Sequence, residues 1–101
     1  MKFEEILRTK YKINPAVYMA KARRRANSLG YTSELKFCDD GQHKLEYMGE
    51  KFGNVDNKDF IIYSLTEGKE KADKMRKSYL ARTFAPGKKI TQKMKYTRIN
   101  W

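Results

Sequence analysis

Apolar positions in the N-terminal third of the chain recur at helical intervals, and from Glu34 onward the period changes to two. Residues 2 to 12 place Phe3, Ile6, Leu7 and Tyr11 near one face of a short amphipathic helix. Asn14-Pro15 marks the start of a second helix. Asn14 is the N-cap, and Pro15 takes the first helical position, where its missing N–H is no loss. Tyr18, Ala22, Ala26 and Leu29 follow along one face, and Gly30 stands where a left-handed residue ends a helix.

Further on, Leu35 and Phe37 alternate with Lys36 and Cys38, and Leu45 and Tyr47 alternate with Lys44 and Glu46, with Asp40-Gly41 between them as a hairpin signal. A two-residue Asp-Gly loop would pair Cys38 with His43 and leave the two apolar rows on opposite faces. An odd-numbered loop pairing Phe37 with Leu45 and Asp39 with His43 keeps one apolar face, so that register is expected. Gly49, Gly53, Asn54 and Asn57 read as a loop and Phe60-Ile61-Ile62-Tyr63 as the central strand. Ser64-Leu65-Thr66-Glu67 reads as a capping box opening a third helix to about residue 83, with Leu65, Ala72, Met75, Tyr79 and Leu80 buried and Pro86-Gly87 as its end. The pattern predicts one α+β domain over residues 1 to 86: a small antiparallel sheet of about three strands, packed by two or three helices. A basic C-terminal tail, residues 87 to 101, is expected to be extended and to order only on a partner. No internal repeat is visible.

Length and charge sharpen this picture. The chain has 101 residues, 40% of them hydrophobic, enough for a single core despite 35% charge. The net charge of +11 is unevenly placed. Residues 1 to 33 carry eight basic and two acidic side chains, residues 34 to 68 four and eight, and residues 69 to 101 eleven and two. Two basic ends flanking an acidic middle attract phosphate backbones, lipid head groups, acidic proteins or a second copy of the chain. Lys21, Arg23, Arg24 and Arg25 form the sharpest cluster, opposite the Tyr18/Ala22/Ala26 stripe. With no acid nearby they gain nothing from i,i+4 pairing, which weighs a phosphate-contacting ridge against a merely solvated face; the run also resembles a nuclear-localisation patch. The third helix adds Lys69, Lys71, Lys74, Arg76, Lys77 and Arg82, and the tail Lys88, Lys89, Lys93, Lys95 and Arg98. The candidate anion- or partner-binding residues are therefore Lys21, Arg23, Arg24, Arg25, Lys74, Lys77, Lys88, Lys89, Lys93 and Lys95.

Little in the chain points to catalysis. Cys38 is the one cysteine, which excludes an intramolecular disulfide and fits a reducing compartment. The N-terminus lacks the apolar stretch of a signal peptide, and the longest apolar run, residues 60 to 63, falls far short of the roughly 20 residues that span a bilayer. Cys38 and His43 would need a common face to act as nucleophile and base, which the expected register denies. Residues 54 to 59 faintly match a calcium loop, but Lys58 occupies a ligand position and no Glu closes it. Gly68-Lys69 and Gly87-Lys88 lack the remainder of a phosphate loop, and Asp56 and Asp59 read as residues of a solvated loop. No catalytic residue, cofactor or metal is expected.

Three segments, Lys51-Phe52-Gly53-Asn54-Val55, Asp59-Phe60-Ile61-Ile62-Tyr63 and Arg76-Lys77-Ser78-Tyr79-Leu80-Ala81-Arg82, carry a resemblance. They are similar to the pattern of a family of small basic proteins of large nucleocytoplasmic DNA viruses: Lys-Phe-Gly, a Gly/aromatic turn, Asp followed by apolar residues, then Arg-x-x-Tyr-x-x-Arg. The similarity extends over about residues 14 to 83. It departs where Asp56-Asn57 replaces Gly and an aromatic, and where the tail keeps only Ile99 and Trp101 of an apolar-Trp ending. The resemblance implies a virion-associated protein without known enzymatic activity, intracellular during assembly and not secreted, whose partners are other virion or assembly proteins. Phe52, Gly53, Asp59, Arg76, Tyr79 and Arg82 belong to the motif that carries the resemblance and are expected to be structural. Read physically, Tyr79 and Arg82 on one helical face, with Asp59 at the start of the expected strand, suggest an Arg82–Asp59 contact pinning helix to sheet. The leading expectation is a structural component of a virus particle, a minor capsid or internal protein, that adheres through basic helices and tail. The alternative is a sequence-nonspecific nucleic-acid binder, genome-packaging or ribosomal-protein-like. Peripheral contact with anionic lipid stays open.

Overall fold

The computed structural model describes residues 1–101. Helix α1, Phe3–Thr9, buries Phe3 and Leu7, and α2, Pro15–Ser28, buries Tyr18, Met19, Ala22 and Ala26. Asn14 caps α2 as the sequence predicts, its Oδ1 accepting from the Ala16 N–H at 2.9 Å. Asn14→Ala removes that bond and is expected to lower stability by about 1 kcal/mol, read as the shift in a urea-unfolding midpoint. Beyond the helix Gly30 adopts φ +87°, but Leu29 is 39% exposed and lies outside the buried stripe.

Strands β1, Leu35–Phe37, β2, His43–Tyr47, and β3, Glu50–Asn54, form one antiparallel sheet in that order. Phe37 pairs with Leu45, the register that keeps the apolar rows together. The connecting loop is organised by Asp40, whose Oδ1 accepts from the main-chain N–H groups of Gln42 and His43, both at 2.9 Å. His43 therefore meets Asp40, not Asp39, at the hairpin end. The third strand lies where a loop was expected: Phe52 pairs with Leu45 and is fully buried, while Glu50 and Lys51 stay exposed.

Residues 60 to 63 are not a strand. They open helix α3, Phe60–Thr66, because Asp59 is an N-cap whose Oδ1 accepts from the Ile62 N–H at 2.8 Å. Ser64 caps nothing; its hydroxyl donates to the Phe60 carbonyl inside the same helix. Gly68, at φ +91°, then separates α3 from α4, Lys69–Thr83, so the single long helix is two that pack on each other. On α4 only Ala72 of the expected stripe is fully buried, with Met75, Tyr79 and Leu80 half-buried.

The C-terminal segment is also not an extended tail. Thr91 caps a short helix, α5, Gln92–Tyr96, which runs into a 3-10 turn, Thr97–Ile99. Tyr96, Thr97, Ile99 and Asn100 are buried. The Tyr96 ring meets Tyr47 at 4.8 Å and Tyr31 at 5.2 Å between centroids, and Ile99 belongs to the main core. The radius of gyration is 13.0 Å, about what a compact 100-residue domain has. The fold is α+β, five helices around a three-stranded antiparallel sheet. No helix is long and apolar enough to cross a membrane.

Candidate functional site

The basic residues divide into two groups with different work. Arg25 does not join a solvated ridge. Its Nε donates to the Ile99 carbonyl at 2.8 Å and its guanidinium NH2 to the Trp101 main-chain oxygen at 2.6 Å, above the Phe60 ring at 4.6 Å. Partial burial and the neighbouring Arg76 hold its pKa below the usual guanidinium value. Arg76 donates to the same Trp101 oxygen at 2.6 Å. These two arginines are clamps on the C-terminal segment. Arg23, Arg24, Lys74, Lys77, Lys88, Lys89, Lys93 and Lys95 are exposed and Lys21 is half-buried. The ion pairs are His43–Asp40, Lys44–Asp59, Lys51–Asp40 and Lys58–Glu67. None of them uses a cation of α2, α4 or the C-terminal segment.

Sequence reasoning missed the buried polar centre altogether. Asp59 is fully buried, as is Tyr18, whose hydroxyl donates to Asp59 Oδ2 at 2.5 Å. Lys44, also buried, puts its Nζ 3.1 Å from the same oxygen and donates to the Asn57 carbonyl. Desolvation, then the Asp59 charge, raises the Tyr18 pKa well above that of a free phenol. Desolvation lowers that of Lys44, and the Asp59 charge opposes the shift without cancelling it. Asp59 thus caps α3, accepts from α2 and pairs with β2, joining three elements through one carboxylate. Alternation along β2 correctly sets Lys44 apart from Leu45 and Tyr47, yet nothing local says that the lysine is covered. The only sequence signal was Asp59 three residues before Ile62, a helix-start spacing.

Among the remaining motif residues, Arg76, Tyr79 and Gly53 make other contacts, and Arg82 is exposed. Arg82 makes no contact with Asp59, which is saturated by Tyr18, Lys44 and the α3 cap. Arg76 and Tyr79 instead hold Trp101, whose indole stacks on the Tyr79 ring at 4.2 Å and 5°. Gly53 is fixed by both conformation and space. It adopts φ +83°, and a Cβ there would lie 3.1 Å from Asn100 Nδ2 and from Lys44 side-chain carbons.

These contacts border a cleft of about 920 Å³ between the β2–β3 side and the α4–α5 side of the molecule. Gly53, Asn54 and the 55–58 loop line one wall, with Arg82, Lys88, Lys93, Tyr79 and Trp101 on the other. Asn100 lines it too. Its carboxamide neighbours the Tyr18 hydroxyl, but neither its Oδ1 nor its Nδ2 has a hydrogen-bond partner. The Cys38 thiol is buried and pushed up to about 11 by desolvation and by Asp40 and Glu46, so it is a poor thiolate source at neutral pH. No three His, Cys, Asp or Glu side chains converge closely enough to hold a metal ion. No known protein-family model, curated protein or solved structure matches this chain.

Proposed function

We propose that the protein is a non-enzymatic binding protein that attaches to a polyanion through its helical side, with the backbone of a nucleic acid as that polyanion. The observation that carries this reading is the absence of any acidic partner for the exposed cations of α2, α4 and the C-terminal segment, set against complete pairing of the buried Lys44. Unpaired surface cations crowded on adjacent elements repel one another, and that self-repulsion is relieved when a polyanion neutralises them. The elements are adjacent, since α3 packs on both α2 and α4 and the 3-10 turn packs on α2.

Binding to nucleic acid should weaken steeply with salt, as counterions are released. Changing Lys74, Lys77, Lys88 and Lys89 together to alanine touches only exposed side chains. It is expected to flatten the slope of log affinity against log salt by up to about 3.6 for duplex DNA, at roughly 0.9 for each phosphate contact removed. Wild-type binding that stays tight near physiological salt and ignores these changes would contradict the basic-surface reading. The viral resemblance favours a second reading, a minor capsid or internal component whose acidic hairpin meets a basic neighbour. In that case duplex binding is weak from the start, and the same substitutions reduce incorporation into particles, as measured by mass spectrometry of purified virions.

A further inference from the structure

We infer that the cleft between the β2–β3 side and the α4–α5 side is a site for a short single-stranded nucleic-acid segment. This rests on the polyanion reading and gives it a place and a conformation of ligand.

Size and shape come first. At about 920 Å³ the cleft falls at the upper end of the roughly 300–1,000 Å³ that small-ligand sites occupy. A concavity of that size takes a nucleotide or two of an unstacked strand, whereas a duplex offers only its phosphate ridge to such an opening. Charge comes second. Arg82, Lys88 and Lys93 line one wall and none is in an ion pair, although Lys88 gives one hydrogen bond to the Arg82 carbonyl. Lys58 stands on the other side, shared with Glu67, and Asp56 is the only acid in the lining. An acidic peptide would find the same cations, so charge alone does not choose between the two ligands.

The aromatic side chains do choose. Tyr63, Tyr79 and Trp101 all line the cleft, with Trp101 stacked on Tyr79 and its centroid 6.4 Å from that of Tyr63. Cations that track a backbone beside aromatic rings on which bases stack are the combination that single-strand binding uses, and it tolerates any base because every base has a π-face.

The chain's single tryptophan is therefore its own reporter. The probes are a twelve-nucleotide oligothymidylate, its duplex with oligoadenylate, tripolyphosphate and a polyglutamate peptide. Oligothymidylate is expected to quench Trp101 emission and to bind at least ten times more tightly than the duplex. Tripolyphosphate should compete for the site without quenching. The triple variant Arg82→Ala/Lys88→Ala/Lys93→Ala alters exposed side chains only, and its urea midpoint shows whether the fold is kept. It should bind oligothymidylate at least tenfold more weakly, with a salt slope flatter by about 2, at roughly 0.7 per single-strand phosphate contact. Arg23→Ala/Arg24→Ala on α2, outside the cleft lining, should weaken oligothymidylate binding clearly less than the cleft variant does. The cleft assignment is overturned if the cleft variant binds like wild type while the α2 variant loses tenfold. It is equally overturned if the duplex binds more tightly with Trp101 emission unchanged, or if polyglutamate binds as tightly as the oligonucleotide. The first two of these results leave the polyanion reading standing; failure of every nucleic acid to bind removes both.

Discussion

Asp59→Ala is expected to leave the protein largely unfolded at room temperature. The substitution removes the α3 cap, worth about 1 kcal/mol. It also strands the Lys44 ammonium and the Tyr18 hydroxyl in a fully buried site, and breaking a buried ion pair from one side costs about 3–5 kcal/mol. Together, at about 4–6 kcal/mol, these reach the lower end of the stability of an ordinary small domain, about 5–15 kcal/mol. Asp59→Asn separates the contributions, because asparagine caps as well as aspartate but supplies no charge. Lys44 in that variant titrates below its unfolded value of 10.5, so the folded state holds the proton less well than the unfolded state. Stability must then rise with pH through the lowered pKa and up to about 10, where ionisation of Tyr18 in the unfolded state, from 10.0 upward, begins to oppose it. Urea midpoints measured from pH 7 to 10 read the effect. A flat profile, or a folded Asp59→Ala protein of wild-type midpoint, would show that the buried centre does not hold the three elements together.

Truncation after Gly87 is the second severe change. Were residues 88 to 101 an adhesive arm, their loss would leave the domain intact and only weaken binding. In the fold they supply Tyr96 and Ile99 to the core and the carbonyls on which Arg25 and Arg76 close. Removing a buried aromatic costs about 3–5 kcal/mol and a buried isoleucine about 2–5 kcal/mol, so the truncated chain should lack a cooperative unfolding transition altogether. Circular dichroism during a thermal scan decides the matter. A sharp transition within a few degrees of wild type would restore the picture of a separable tail. Ile99→Ala is the milder companion, expected to lower stability by about 2–5 kcal/mol without removing any charge.

What the sequence disclosed was whatever is encoded locally. Asn14-Pro15 and the apolar stripe of α2 placed that helix, and the requirement for one apolar face fixed the Phe37–Leu45 register. The errors share a physical cause. Four consecutive apolar residues satisfy a buried strand and a buried helical turn equally, and only the cap in front of Phe60 decides between them. β3 escaped notice because Phe52 is its one fully buried residue, beside charged Glu50 and Lys51 and before a glycine. The C-terminal segment looked solvated because it carries five basic side chains and no acid, although Tyr96 and Ile99 sit three apart on one side of a turn. Arg25 and its neighbour Arg24 are chemically alike, and only the position of Ile99 and Trp101, more than seventy residues away, makes one a clamp and leaves the other in solvent. The cleft was invisible for the same reason, since its two walls come from distant parts of the chain.

The seating of the C-terminal segment also fixes when the protein can finish folding during its synthesis. The Phe60 N–H donates to the Asn100 carbonyl, and Arg25 reaches residues 73 to 76 positions further along. A nascent chain that has released α1, α2 and the sheet still lacks Tyr96 and Ile99, so its partial core faces water while translation continues at roughly 5–20 residues per second. Closure must wait until residue 101 has cleared the ribosome exit tunnel. Until that moment the part of β3 on which α5 packs, and the Phe52 ring that Tyr96 meets, are open to whatever chaperone, or sibling chain, arrives first.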